Sequence, residues 1–314
     1  MTLYPAYPPG LATAEMAMVR FDLDLLTPCV LELENLLGLR RLLHQAAGVL
    51  PTLRRTALFE PPLSHDPAAL RRFQKPAPPF VLRSVETLRG DYQEGDRLQL
   101  EVLFLGTGTL TIADFIVVLQ KLGVYGLISG QGCFELGEAQ SQGADGRWRP
   151  FWRDRRETAG PVPELVRLDQ WLDRVWPEAV PLLFELTTPA RLVAGGRVLR
   201  RPRFDQLFPF LLRRVSSMLH AHCAIEPVDE PSLLLEAAAH LEAEWLGSRW
   251  IDWRELGSEG ATDSVGGFVG RLRLNEPDLG ELLWIVLLAT LFGIGKGAAY
   301  GAGGCRLLPA ELTC

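Results

Sequence analysis

The feature that most constrains this chain is an ending that occurs twice. Near the middle it reads Leu122-Gly-Val-Tyr-Gly-Leu-Ile-Ser-Gly-Gln-Gly-Cys-Phe-Glu-Leu136. At the C-terminus it reads Phe292-Gly-Ile-Gly-Lys-Gly-Ala-Ala-Tyr-Gly-Ala-Gly-Gly-Cys-Arg-Leu307. Each copy has an apolar helical run, a glycine-rich turn, then a cysteine and a short apolar strand. Gly130, Gly132 and Cys133 align with Gly301, Gly303 and Cys305 when one residue is inserted. A repeat at half the chain length predicts a duplicated domain. The richer loop, which carries a lysine, closes the second copy.

With 314 residues, 47% of them hydrophobic, the chain can build two packed cores. The first residues have neither a basic start nor a long apolar run, so no secretory signal is expected. The most apolar stretch, 282–294, is too short to span a bilayer and reads as a buried helix. Five scattered cysteines without a Cys-x-x-Cys pair fit free thiols in a reducing cytoplasm, and neither a zinc site nor another cofactor is expected. A net charge of −6 argues against indiscriminate nucleic-acid binding. The basic residues are nonetheless clustered, at Arg147, Arg149, Arg153, Arg155 and Arg156 and at Arg197, Arg200, Arg201 and Arg203. Arginine suits phosphate forks and base stacking; a GC-rich genome would encode the same bias.

Periodicity orders the elements. Residues 1–15 read as a proline-rich arm. Strand 16–26, helix 34–50, strands 80–88 and 96–105, helix 111–122 and strand 133–136 give βαββαβ over 16–146. A linker with one short helix spans 147–178. The order repeats over 179–314: strands 182–186 and 190–199, the latter bent into a hairpin at Gly195-Gly196, helices 204–223 and 231–245, strands 250–256 and 267–274, helix 279–292 and strand 305–308. The expected fold class is α+β, two tandem ferredoxin-like (RRM-like) βαββαβ domains.

With that frame, the chain resembles the CRISPR repeat-processing endoribonucleases of the RAMP superfamily. The likeness covers most of the chain. In the first half it lies in Phe59-Glu60-Pro61-Pro62, Pro79-Phe80-Val81-Leu82, Gly95-Asp96 and Leu122-Gly123 through Phe134. In the second half it lies in Thr188-Pro189-x-Arg191-Leu192, Gly196-Arg197, Phe204-x-x-Leu207, Leu212-Arg213-Arg214 and Gly266 to Arg271. The most specific piece is the loop from Gly293 to Gly303. The resemblance implies a protein that binds the repeat of a precursor CRISPR RNA and cuts it once without a metal, leaving a 2′,3′-cyclic phosphate and a 5′-hydroxyl. It also implies partners among other CRISPR effector subunits, and no membrane. The chain departs from the pattern at Gly293, where relatives commonly carry a histidine. A non-catalytic RNA-binding subunit of the same fold is therefore the second reading.

In the loop, Gly293, Gly295, Gly297, Gly301 and Gly303 would let backbone N–H groups approach a phosphate. Lys296 would add a point charge, and Tyr300 would stack on a base. The competing reading is a tight helix-to-strand turn with a solvated lysine. Neither the nucleotide-triphosphate loop nor the dinucleotide fingerprint fits, because Gly297 and Ala298 stand where those motifs need other residues. The resemblance implies His44 as the acid–base residue, since the first helix is where many relatives carry theirs. Arg40 and Arg41, one turn earlier, would face the same phosphate. Arg213, Arg214, Arg271 and Arg273 read as phosphate contacts or, equally, as ion-pair partners of the acids between Glu226 and Glu259. His220 and His222 read as a helix C-terminal cap, His65 and His240 as solvated, and Trp245, Trp250 and Trp253 as core rather than stacking surfaces.

Overall fold

A computed structural model describes residues 5–62, 76–153, 162–178, 181–252, 266–275 and 279–310. His65, Trp253, Arg155, Arg156 and Cys314 lie outside the described residues. The chain divides into two compact units. One holds Glu15–Arg167 with Ala299–Gly301; the other holds Met1–Ala14, Leu168–Ala298 and Ala302–Cys314.

The first unit opens with β1 (Glu15–Leu25), β2 (Cys29–Leu31) and α1 (Leu33–Ala46). Helix α1 starts at a reciprocal cap, in which the Glu32 backbone N–H donates to Asn35 Oδ1 at 3.0 Å. It buries Leu36, Leu39, Leu42, Leu43 and Ala46, a spacing that lays one apolar stripe against the core. Then come α2 (Thr52–Phe59), β3 (Phe80–Arg83), β4 (Gly90–Tyr92), β5 (Arg97–Leu105), α3 (Ile112–Tyr125), β6 (Phe134–Gln142), β7 (Trp148–Arg153) and β8 (Val166–Arg167). The main sheet runs β3-β5-β1-β6-β7, with β8 also paired to β1. Every pairing is antiparallel. Stripped of β7 and β8, the order places the second and third strands of the βαββαβ unit on one side of the first and the fourth on the other. That is the ferredoxin-like arrangement.

The second unit has α4 (Leu168–Val175), β9 (Leu182–Ala190), β10 (Leu192–Ala194), β11 (Arg197–Leu199), α5 (Phe204–Cys223), α6 (Pro231–His240), β12 (Ala243–Asp252), β13 (Gly266–Leu274), α7 (Gly280–Phe292) and β14 (Cys305–Pro309). Its four-stranded sheet, β12-β13-β9-β14, repeats the order of the first. The hairpin of β10 and β11 turns at Gly195-Gly196 as the sequence predicts. Helix α7 is buried on every side. Its even apolarity therefore reports enclosure, not a bilayer. The 20-residue helical run Gly106–Tyr125 is also apolar enough to cross a membrane. In this fold it buries Phe115, Ile116, Leu119 and Leu122 in the core, while Asp114 accepts from Arg54 at 3.3 Å.

Several expected elements differ. The region expected as strand 80–88 is a short strand followed by a 3-10 turn, Val85–Leu88. Ser84 adopts a left-handed backbone there, which ends the strand. Residues expected as linker form β7, whose Arg153 pairs with Glu138 on β6. Residues 241–245 leave the helix at His240 and enter β12, so the helix expected over 231–245 is shorter. Trp245 sets that exit, donating its indole N–H to the Pro202 carbonyl at 2.7 Å and packing edge-on to Phe268. Helix α2 was not expected at all.

Candidate active site

The two glycine loops are one device built twice. Helix α3 ends at Gly126, whose N–H returns to Leu122 O at 2.8 Å; α7 ends at Gly293, whose N–H returns to Ala289 O at 2.9 Å. The next residue then bonds to a late glycine: Leu127 N–H to Gly132 O at 3.1 Å, and Ile294 N–H to Gly303 O at 2.9 Å. All four glycines have positive φ. Gly303 is the tightest, since a Cβ there would lie 1.9 Å from the Ile294 carbonyl oxygen. The C-terminal loop spends four more residues between its anchors than the first. That extra length accommodates Lys296 and Tyr300.

Lys296 is exposed on this loop, with its backbone N–H bonded to Arg191 O at 3.3 Å. Gly293, Gly301 and Gly303 are buried, while Gly295 and Gly297 are half-buried. The loop thus supports the tight-turn reading at its two ends and a charged, accessible tip at Lys296.

Tyr300 overturns one expectation. Only 6% of the residue is exposed, so its ring has no face to offer a base. It belongs to the core of the first unit, edge-on to Phe80 with centroids 5.7 Å apart. Its hydroxyl lies 2.8 Å from His44 Nε2. Arg40, one turn before His44 on α1, holds its guanidinium 5.5 Å from the centre of the same ring.

His44 is half-buried, with its ring 4.8 Å from that of Phe59 on α2. Burial lowers its pKa below the ordinary 6.5, and the positive charges of Arg40 and Arg55 lower it further against the opposing pull of Glu60. The imidazole is therefore neutral at neutral pH. Arg40, Arg41, Arg54 and Arg55 are exposed around it, with Arg54 engaged by Asp114. Burial raises the Tyr300 pKa, so the phenol stays protonated.

The other basic candidates separate. Arg214 is buried in α5, and its guanidinium donates twice to the Phe292 carbonyl at the end of α7. Burial lowers its pKa to about 10. It caps a helix, and the expected phosphate contact is corrected. Its neighbour Arg213 is exposed. Arg271 and Arg273 lie on one face of β13, opposite the buried Leu272 and Leu274. Arg271 shares Glu185 with Arg306, at 2.8 and 2.6 Å, and Arg273 lies 3.9 Å from Glu244. Both thus face acids, Arg273 one from the expected stretch and Arg271 one outside it. His222 is buried and His220 sits 3.9 Å from Glu226. Trp245 and Trp250 are half-buried, the latter under the Arg200 guanidinium. Among the described residues no three His, Cys, Asp or Glu side chains group as metal ligands.

The sequence reading missed Phe59, Phe80, Arg55 and Glu60 as the surroundings of His44. Their signal was the Leu58-Phe59 pair two turns after Pro51, but a helix of 8 residues is too short for periodicity to show.

Residues 184–305 match the family model of the CRISPR-associated endoribonuclease Cas6, and residues 52–163 match a model described as an N-terminal domain. No curated protein sequence matches this chain. Among solved structures, a partial Cas6-RT-Cas1–Cas2 complex aligns with a TM-score of 0.62 at 13% identity, over 99% of this chain and 48% of that one. The chain thus spans about half the length of that protein. A Cas6 product complex aligns with a TM-score of 0.54 at 19% identity, over 93% of this chain and 100% of that one. Thermus thermophilus Cas6 aligns with a TM-score of 0.53 at 18% identity, over 94% and 99%. At these identities the structures speak for the fold, and the family model speaks for the second unit. Residues 184–305 thus resemble the Cas6 endoribonuclease domain, and the fold of solved Cas6 structures is followed along nearly the whole chain.

Proposed function

We propose that this chain binds the repeat of a precursor CRISPR RNA and cuts it once by transesterification, without a metal. The ribose 2′-oxygen attacks the adjacent phosphorus, and the bond from phosphorus to the 5′-oxygen of the next nucleotide breaks. The 2′-hydroxyl proton passes to a base and the leaving oxygen takes one from an acid. The products are a 2′,3′-cyclic phosphate and a 5′-hydroxyl.

The observation that carries this reading is His44. A half-buried imidazole kept neutral by burial and two arginines is suited to accept the 2′-hydroxyl proton. The exposed Arg40, Arg41 and Arg55 offer positive charge to the phosphorane, and the exposed Lys296 on the C-terminal loop is a cation for the RNA backbone. Gly295 and Gly297, half-buried on either side of Lys296, let the strand pass close to backbone. Exposed Arg213 extends the phosphate contacts; Arg271 and Arg273 join them only if RNA displaces their carboxylates. The product RNA stays bound, and other CRISPR effector subunits are the protein partners in this reading. The glycine at Gly293 favours a second reading, a guide-RNA-holding subunit that does not cut. Gly293 ends a buried helix with φ 64°, a backbone in which a histidine would be strained.

A cleavage assay in EDTA separates the two, using repeat RNA from the same genome and a control carrying a 2′-deoxy substitution at the cut site. One cut, blocked by the deoxy sugar, supports the nuclease. His44→Ala then loses about 100-fold or more in rate with RNA affinity retained. The wild-type rate rises with pH through a midpoint below 6.5 and levels at neutrality, because the base must be unprotonated. Tight binding without a cut supports the second reading.

A further inference from the structure

We infer that Tyr300 is a positioning residue for His44. Its hydroxyl accepts the Nε2–H of the imidazole and leaves the Nδ1 lone pair as the atom that meets RNA. The inference depends on His44 being the acid–base residue proposed above.

The geometry supplies the first argument. Tyr300 Oη and His44 Nε2 are 2.8 Å apart, and among the described residues Nδ1 has no hydrogen-bond partner. A neutral imidazole has one protonated nitrogen. If the phenol donated to Nε2, the proton would sit on Nδ1 and neither nitrogen could act as a base. With the proton on Nε2 the phenol oxygen accepts, and Nδ1 is left basic. After Nδ1 takes the proton the imidazolium still carries Nε2–H. The same contact therefore serves both protonation states, and it is stronger in the charged one.

The second argument is rigidity. The tyrosine ring is buried against Phe80, and the imidazole lies against Phe59. The next residue, Gly301, has φ 90°, and a Cβ there would meet Val85 Cγ1 at 2.6 Å. Only glycine lets the chain bring Tyr300 this far into the core. The same ring sits under the Arg40 guanidinium, so one buried side chain orients both the imidazole and a neighbouring cation. A phenol held neutral by burial orients the imidazole without adding negative charge. In a Ser-His-Asp triad a carboxylate has this place and raises imidazole basicity. Here the orienting group is uncharged, in keeping with a histidine whose pKa is lowered.

The test uses the full chain with Tyr300→Phe, His44→Ala and the double variant. Phenylalanine keeps the ring and its packing and removes only the hydroxyl. Single-turnover cleavage in EDTA should slow about tenfold or more in Tyr300→Phe, with RNA affinity unchanged. The double variant should cleave no more slowly than His44→Ala, because Tyr300 acts through the histidine. Nitrogen-15 NMR of the imidazole should show Nε2 protonated in the wild type and a mixture of tautomers in Tyr300→Phe. Wild-type cleavage by Tyr300→Phe, or a proton on Nδ1 in the wild type, overturns the inference and leaves the reading of His44 standing. Wild-type cleavage by His44→Ala overturns both. If Tyr300→Phe melts well below the wild type, the wild-type tautomer alone decides.

Discussion

Gly303 is the residue at which the C-terminal loop tolerates least. Its φ is 59°, and the Ile294 carbonyl occupies the space a side chain would need. Gly303→Ala should cost about 2–4 kcal/mol of stability, measured by urea unfolding, through backbone strain and a displaced carbonyl. A loss of a few tenths would mean that the loop relaxes around the methyl group. The glycines were legible in the sequence because few turns use so many. Their division of labour was not. Gly293 and Gly303 close the turn, and Gly301 seats Tyr300 beside Val85. Tyr300 shows how a residue read from one dimension is misjudged. An aromatic beside glycines and a lysine looks like a stacking surface, yet this one is buried and bonded to a histidine 256 positions away.

At the scale of elements, Arg214 has an analogous story. Two adjacent arginines on an amphipathic helix read alike, but helical geometry turns Arg213 outward and Arg214 inward. Arg214 then satisfies the Phe292 carbonyl, one of the acceptors that every helix leaves unpaired at its end. Arg214→Ala should lower stability by about 2–3 kcal/mol in chemical denaturation, since a buried carbonyl loses its charged donor. No loss would show that water replaces the guanidinium. Long elements with clean periods, such as α5 and β5, followed from the sequence almost to the residue. Short ones did not. Helix α2, strand β7 and the start of β12 depend on neighbours that supply hydrogen bonds and cover, and such neighbours leave little local signal.

At the scale of the whole molecule, a net charge of −6 means that the RNA affinity proposed for this chain must come from local clusters. Lys296→Ala should weaken repeat-RNA binding and reduce the slope of log affinity against log salt by about 1. An unchanged slope would remove Lys296 from the phosphate contacts. The sequence by itself determined the duplication, the α+β class and the strand and helix order, because hydrophobic period and glycine turns are local properties that survive in one dimension. It also marked His44 and the C-terminal loop as separate features. Only the tertiary structure brought Tyr300 to His44, withdrew Arg214 into the core and paired Arg271 with Glu185. Those outcomes depend on which buried surfaces meet and which charges are desolvated, and residues far apart in the chain decide both.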